Sequence, residues 1–127
     1  MPLARQLTRL LGAKAVSADP KTLAEHSTDR WFASHPPGSV GRAETTAQVR
    51  QHLKFARAQR IPGTRRGAGV GYVGGCVPAH GGIALSLARM RRIKEISFAD
   101  AVAVVEPGVI TGRIQDEVRK RGLFYPP

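Results

Sequence analysis

The chain has a single cysteine, Cys76, in 127 residues; an internal disulfide is excluded, and a reducing, cytoplasmic setting fits. No apolar run reaches membrane-spanning length. No Gly-Lys-Ser/Thr closes the glycine-rich stretch, which excludes a P-loop. Neither a metal-ligand spacing nor a Ser-His-Asp or Cys-His pairing is found, and no catalytic residue or metal ligand is assigned. Acids are missing altogether between Glu44 and Glu95. Internal repeats and low-complexity segments are absent too, and an apolar content of 42% is enough for one domain, or most of one, with its own core.

What the chain does have is glycine in one place. Eight of its 14 glycines fall between Gly63 and Gly82, in the run GTRRGAGVGYVGGCVPAHGG. So few side chains make ordering costly in entropy, and suit a backbone that turns sharply and comes close to something. Consecutive N–H groups in such a loop form a nest for an anion, and Arg65 and Arg66 at its mouth supply opposite charge. A phosphate cradle and a flexible surface loop are both open on composition alone. Gly69, Gly71 and Gly74 satisfy G-x-G-x-x-G, with Glu95 near the distance of a ribose-binding acid. That dinucleotide fingerprint is rejected, because Cys76-Val77-Pro78-Ala79-His80-Gly81-Gly82 cannot open the helix it requires.

Residues 1–37 read as a helical lead-in and 38–127 as the main unit. Leu3, Leu7, Leu10 and Leu11 share one helical face with Gly12 as a stop. The arginines and missing acids of this segment also suit a transit peptide; the helix is the preferred reading. The stretch AEHSTDRWF shows no period and predicts a helical turn with irregular flanks. Thr45 with Gln48 forms a capping box, and Val49, Leu53 and Ala56 recur at helical spacing as far as Arg60. Strands are expected near 38–42, 62–65, 83–87, 92–98 and 102–106. Pro107-Gly108 turns the chain, and Thr111 opens a second helix with Ile114 and Val118 facing the core and Gly122 as its stop. Strands alternating with helices predict an α+β fold, α/β-like, with a small, partly parallel sheet flanked by helices.

The formal net charge is +11, and Arg50, Lys54, Arg57, Arg60, Arg65, Arg66, Arg89, Arg91, Arg92 and Lys94 fill the acid-free stretch. Such a field attracts polyanions, so a basic polyanion-binding domain is the alternative reading. Few aromatics accompany these charges and no nucleic-acid motif is present, so no specific nucleic-acid partner is expected.

Four linked segments carry a family resemblance: RRGAGVGYVGG at 65–75, VPAHGGIALSLARMRRIKEI at 77–96, AVVEPGV at 103–109 and RGLFYPP at 121–127. In content, order and spacing, 16–127 resembles the start of the FAD-binding domain of the vanillyl-alcohol-oxidase or PCMH type, in the branch of glycolate oxidase flavoprotein subunits and D-lactate dehydrogenases. The resemblance implies the first half of that domain, within an FAD-linked oxidoreductase that passes a hydride from a 2-hydroxy acid to the flavin.

It also implies site residues. Main-chain N–H groups of Arg66, Gly67, Ala68, Gly69, Val70, Gly71, Tyr72, Val73, Gly74 and Gly75 would wrap the FAD pyrophosphate. The turn at Glu106, Pro107, Gly108 and Val109 would approach the flavin, although a plain Pro-Gly turn explains the same residues. Pro126 completes the set of implied contacts. Val70 and Val73 stand where the family usually shows threonine and serine, and each lost hydroxyl removes a hydrogen bond of about 1.5–3 kcal/mol if it reaches a charged group. No histidine lies among these glycines, so attachment is expected to be noncovalent. Relatives continue with further flavin-binding segments and a substrate domain, which makes the expected module incomplete. Weak or absent FAD binding and no turnover are expected of it alone, unless a partner chain supplies the rest. His80 and His26 are the available bases, with His80 read as a turn residue; His35 precedes a proline pair and His52 is placed on the polar side of its helix. Cys76 reads either as a thiol activated by Arg65 and Arg66 or as a small residue filling a turn.

Overall fold

In the computed structural model, residues 2–126 are described; Met1 and Pro127, the ends of the predicted entry helix and of the RGLFYPP segment, lie outside them. The chain runs α1 (Leu3–Leu11), a short 3-10 turn (Ala13–Ala15), β1 (Val16–Ser17), α2 (Pro20–Glu25), β2 (Ser39–Arg42), α3 (Thr46–Ala58), β3 (Gly63–Arg66), β4 (Ile83–Ser86), β5 (Ile93–Ser97), β6 (Val102–Val105) and α4 (Thr111–Arg119). Four strands form one sheet in the order β1-β2-β4-β3. Strands β2 and β3 both run parallel to β4, with Val40 and Thr64 level with Ala84, and β1 is antiparallel to β2. Strands β5 and β6 pair antiparallel as a separate ribbon. The α+β expectation, a small and partly parallel sheet flanked by helices, therefore holds.

Strand β4 is central, and its four residues Ile83, Ala84, Leu85 and Ser86 are all buried, as a strand covered on both faces must be. Leu7 from α1, Val40, Ala43, Val77 and Met90 complete this core, while Ile114 and Val118 of α4 are buried as their spacing predicts. The Thr45 hydroxyl accepts from the Gln48 amide at 3.2 Å and the Gln48 side chain accepts from the Thr45 amide at 3.3 Å, so the capping box is formed in both directions. Asp19 caps α2 by accepting from the Thr22 amide at 2.9 Å, with Pro20 in the first turn. Helix α4 starts at Thr111 but has no side-chain cap.

Two placements differ from the sequence reading. His52 is 2% exposed while Leu53 is 51% exposed, so the inward face of α3 is centred on the histidine, not on the leucine. The ring lies over Gly41 of β2, where a Cβ would come within 2.7 Å of Cδ2, and only glycine leaves that space. His52 Nδ1 bonds the Gln48 carbonyl at 3.1 Å, and Nε2 has no partner among the described residues. Burial holds this imidazole below its ordinary pKa by desolvation. Strand β1 was not expected, since two residues carry no period and its pairing partner lies far along the chain.

Candidate cofactor site

Parallel neighbours need a crossover from the end of one strand to the start of the next, and a helix usually supplies it. Between β3 and β4 that connection is residues 67–82, the glycine run, without a helix or strand in it. Long connections of this kind are uncommon in compact domains and tend to carry function. Gly69 and Gly74 adopt φ of 74° and 73°, the left-handed region open to glycine. The amides of Ala68, Gly69, Val70, Gly71, Tyr72 and Val73 donate to no acceptor among the described residues. A shallow cleft of about 340 Å³ runs beside them, lined by Gly67, Ala68, Gly69, Val70, Gly71, Val73, Gly75 and Cys76. Tyr72 is 75% exposed and stands outside that lining.

The lead-in segment fixes the loop from below. Asp29 accepts from the Trp31 amide at 2.7 Å through Oδ1 and from the Gly74 amide at 3.0 Å through Oδ2, while the Arg30 amide donates to the Gly71 carbonyl at 2.9 Å. The Trp31 ring covers Gly74 so closely that a Cβ there would lie 2.7 Å from the ring. The bond from Asp29 to the Trp31 amide is an Asx turn, readable from the sequence in principle. Its bond to Gly74 joins residues far apart in the chain, and no local signal announces it.

Arg65 and Arg66 do not flank the loop as a pair. Alternation along β3 sends Arg65 toward α3, where it lines a small cavity with His52 and Leu53. Arg66 donates to the Thr28 carbonyl and its guanidinium lies against Gly69. This charge therefore sits under the cradle and also ties the lead-in to it. Cys76 faces the Asp29 carboxylate, with Sγ 4.0 Å from Oδ2, rather than either arginine, so the packing reading of this residue is the one the geometry favours.

The second segment is built as a clamp. Glu106 is 3% exposed; its Oε2 accepts from the Arg92 amide at 2.8 Å, and its Oε1 accepts from Arg92 Nε at 2.9 Å and pairs with Nη2 at 2.8 Å. These bonds hold its carboxyl below the usual range, the Arg92 side chain first and the Arg92 amide next. Gly108 is pressed beneath the carbonyls of Leu87, Met90 and Ala88, where a Cβ would meet oxygens at 2.5–2.9 Å. Glu106 and Gly108 thus have complete structural explanations, as the plain-turn reading allowed. The turn nevertheless reaches the loop: a Cβ on Gly67 would lie 3.8 Å from the Pro107 carbonyl, and a cleft of about 350 Å³ is lined by Ala68, Ala88, Arg91 and 107–111. Of the loop, Gly67 and Ala68 are thereby brought together with Pro107 and Gly108. Pro126 lies exposed in the C-terminal segment and lines neither cleft.

His80 is exposed in a turn, as expected. His26 Nδ1 bonds the Thr22 carbonyl at 2.9 Å, and burial lowers its pKa. Among the described residues no group of His, Cys, Asp and Glu could hold a metal ion, and no helix is long and apolar enough to cross a membrane.

Comparison with known proteins places this geometry. The family model described as "FAD binding domain" matches residues 37–127. The glycolate oxidase subunit GlcD of Bacillus subtilis (strain 168) is 36% identical over 91 residues, covering 72% of this chain and 19% of that protein. A D-lactate dehydrogenase of Anaerostipes hadrus is 33% identical over 91 residues, with coverage of 72% and 19%. The chain thus spans about a fifth of the length of the curated relatives it matches. Among solved structures, p-cresol methylhydroxylase with substrate bound superposes with a TM-score of 0.81 at 25% identity, over 95% of this chain and 24% of that one. The isoeugenol complex of 4-ethylphenol oxidase from Gulosibacter chungangensis gives a TM-score of 0.81 at 28% identity, over 94% and 24%.

Proposed function

The chain belongs to the FAD-binding domain family, matched over residues 37–127, and on that premise we propose that it is the pyrophosphate-holding part of an FAD-linked oxidoreductase acting on a 2-hydroxy acid of the glycolate or D-lactate type. The row of undonated amides from Ala68 to Val73, open to a cleft, carries the reading. Donors without acceptors are costly when dried, and a diphosphate accepts from several at once. The residues present fit the group: Ala68 to Val73 supply donors, the Gly74 amide being taken by Asp29, Arg66 supplies charge from beneath, and Pro107 with Gly108 bounds the adjoining cleft. The flavin supplies hydride acceptance when bound, and this chain supplies its position.

The substrate class rests on the glycolate oxidase subunit and D-lactate dehydrogenase relatives. Binding is noncovalent, since 70–73 is Val-Gly-Tyr-Val. The 127-residue chain by itself holds FAD weakly and turns over no 2-hydroxy acid; the shallow cleft and the exposed Val70 and Val73 in place of hydroxyls are the reasons. A partner chain or further segments would complete the pocket, in a cytoplasmic enzyme.

The test is a calorimetric titration with ADP and with FAD. Gly71→Val, whose Cβ would crowd the Asp29 carboxylate at 3.3 Å and displace the loop that carries the free amides, is expected to abolish binding, while Gly63→Ala, which has open space around it, leaves it unchanged. Equal ADP binding by both variants would put the anion site elsewhere. Stoichiometric flavin in the purified chain would overturn the expectation of weak binding.

A further inference from the structure

The acid-free stretch is not used up by the cradle. Three of its arginines, Arg89, Arg91 and Arg92, converge with Arg113 of α4 around a cleft of about 890 Å³ that is also lined by Glu44, Thr45, Ile93 and Glu106. Glu44 neutralises Arg89 at 2.8 Å, and Glu106 neutralises Arg92. Among the described residues neither Arg91 nor Arg113 forms an ion pair, although Arg113 lies near enough to Glu117 to help lower that carboxyl; each is held instead by a main-chain carbonyl. Arg91 Nε donates to the Ala88 carbonyl at 2.6 Å, and Arg113 Nη1 donates to the Arg91 carbonyl at 2.9 Å. The lining holds four guanidinium groups and two carboxylates, and the two side chains without an ion pair are linked to each other through the Arg91 main chain.

We propose that this cleft is a second anion site, separate from the glycine loop, which takes a small phosphate-bearing molecule on Arg91 and Arg113. A carbonyl bond orients a guanidinium without discharging it, so the remaining N–H groups of each fork stay available. Phosphate matches that fork with paired acceptor oxygens. Two guanidinium groups without an ion pair suit a dianion, and the volume leaves room for the body of a phosphorylated metabolite beside the phosphate. The inference does not depend on the cofactor reading, because Arg91 is the only residue that this cleft shares with the one at 107–111, and none is shared with the loop.

Inorganic pyrophosphate titrated calorimetrically in about 0.15 M salt tests it, with wild-type chain and the Arg91→Gln, Arg113→Gln double variant compared. Both side chains are exposed, so the double variant is expected to fold, and circular dichroism checks this. At least tenfold weaker binding at one site is expected in the double variant. In wild-type chain, the arginine Nε–H resonances of Arg91 and Arg113 should shift on addition of pyrophosphate while that of Arg66 reports the loop independently. Undiminished pyrophosphate affinity in the double variant, or Nε–H signals of Arg91 and Arg113 that do not move, overturns the site. Malonate binding as tightly as pyrophosphate overturns its phosphate character.

Discussion

Replacing Asp29 by alanine removes the acceptor of two main-chain amides at once, those of Trp31 and Gly74. A loss of about 1–3 kcal/mol in unfolding free energy is expected from donors left without a partner. Asp29→Asn keeps one acceptor oxygen and should recover part of it in urea unfolding; equal loss in both variants would mean that the charge, not the bonds, matters. Gly108→Ala presses a methyl group into three carbonyls and should cost about 1–3 kcal/mol or more, whatever happens to ligand binding. In the opposite direction, Val70→Thr with Val73→Ser restores two hydroxyls on exposed positions and should tighten FAD binding roughly tenfold or more by fluorescence titration. Unchanged affinity would show that these hydroxyls make no contact in this loop. Among these residues, the glycines and the two valines were visible in the sequence. Asp29 was not, because its role depends on a bond across the fold.

At the scale of elements, α1, α3, α4 and the longer strands were legible because each carries a local rule, whereas α2 at Pro20–Glu25 was expected only as a helical turn in an irregular stretch. The Thr45 and Gln48 box starts α3, Pro107-Gly108 separates β6 from α4, and the strands fall where they were expected within a residue or two. The orientation of α3 was not legible. Counting apolar residues points to Leu53, whereas packing against a glycine in β2 selects the planar ring of His52. That choice has a pH signature. The folded pKa of His52 lies below its ordinary 6.5, so below that pH the unfolded chain binds more protons. Stability should be complete above about pH 6.5 and fall as pH drops toward the lowered folded value, with His26 adding the same sign. Glu106 acts later: its contribution is present above its ordinary 4.5 and is lost as pH falls through its depressed folded value. Urea midpoints at a series of pH values check both windows. A flat profile between pH 7 and 5.5 in wild-type chain would refute the histidine contribution.

For the molecule as a whole, charge is the quantity that composition alone left ambiguous. The fold divides it: Arg66 is committed to the lead-in, Arg89 and Arg92 to carboxylates, and Arg91 and Arg113 to a cleft. Duplex DNA should therefore bind without sequence preference, and the affinity should fall steeply between low and physiological salt, as counterion release requires. Titrations with two unrelated duplexes and a single strand measure this. Selective binding that persists near 0.15 M salt would favour the polyanion reading over the cofactor reading.

The crossover loop also writes its own assay. Amides from Ala68 to Val73 that lack an acceptor have nothing to slow their exchange with deuterium, so in the free chain they should label at close to the rates of an unfolded peptide. The Gly74 amide, bonded to Asp29 in the same loop, should label later. A ligand seated in the cradle would slow the first group and leave Gly74 nearly as it was. Occupancy could then be read from a handful of neighbouring amides, with the reference built into the next residue.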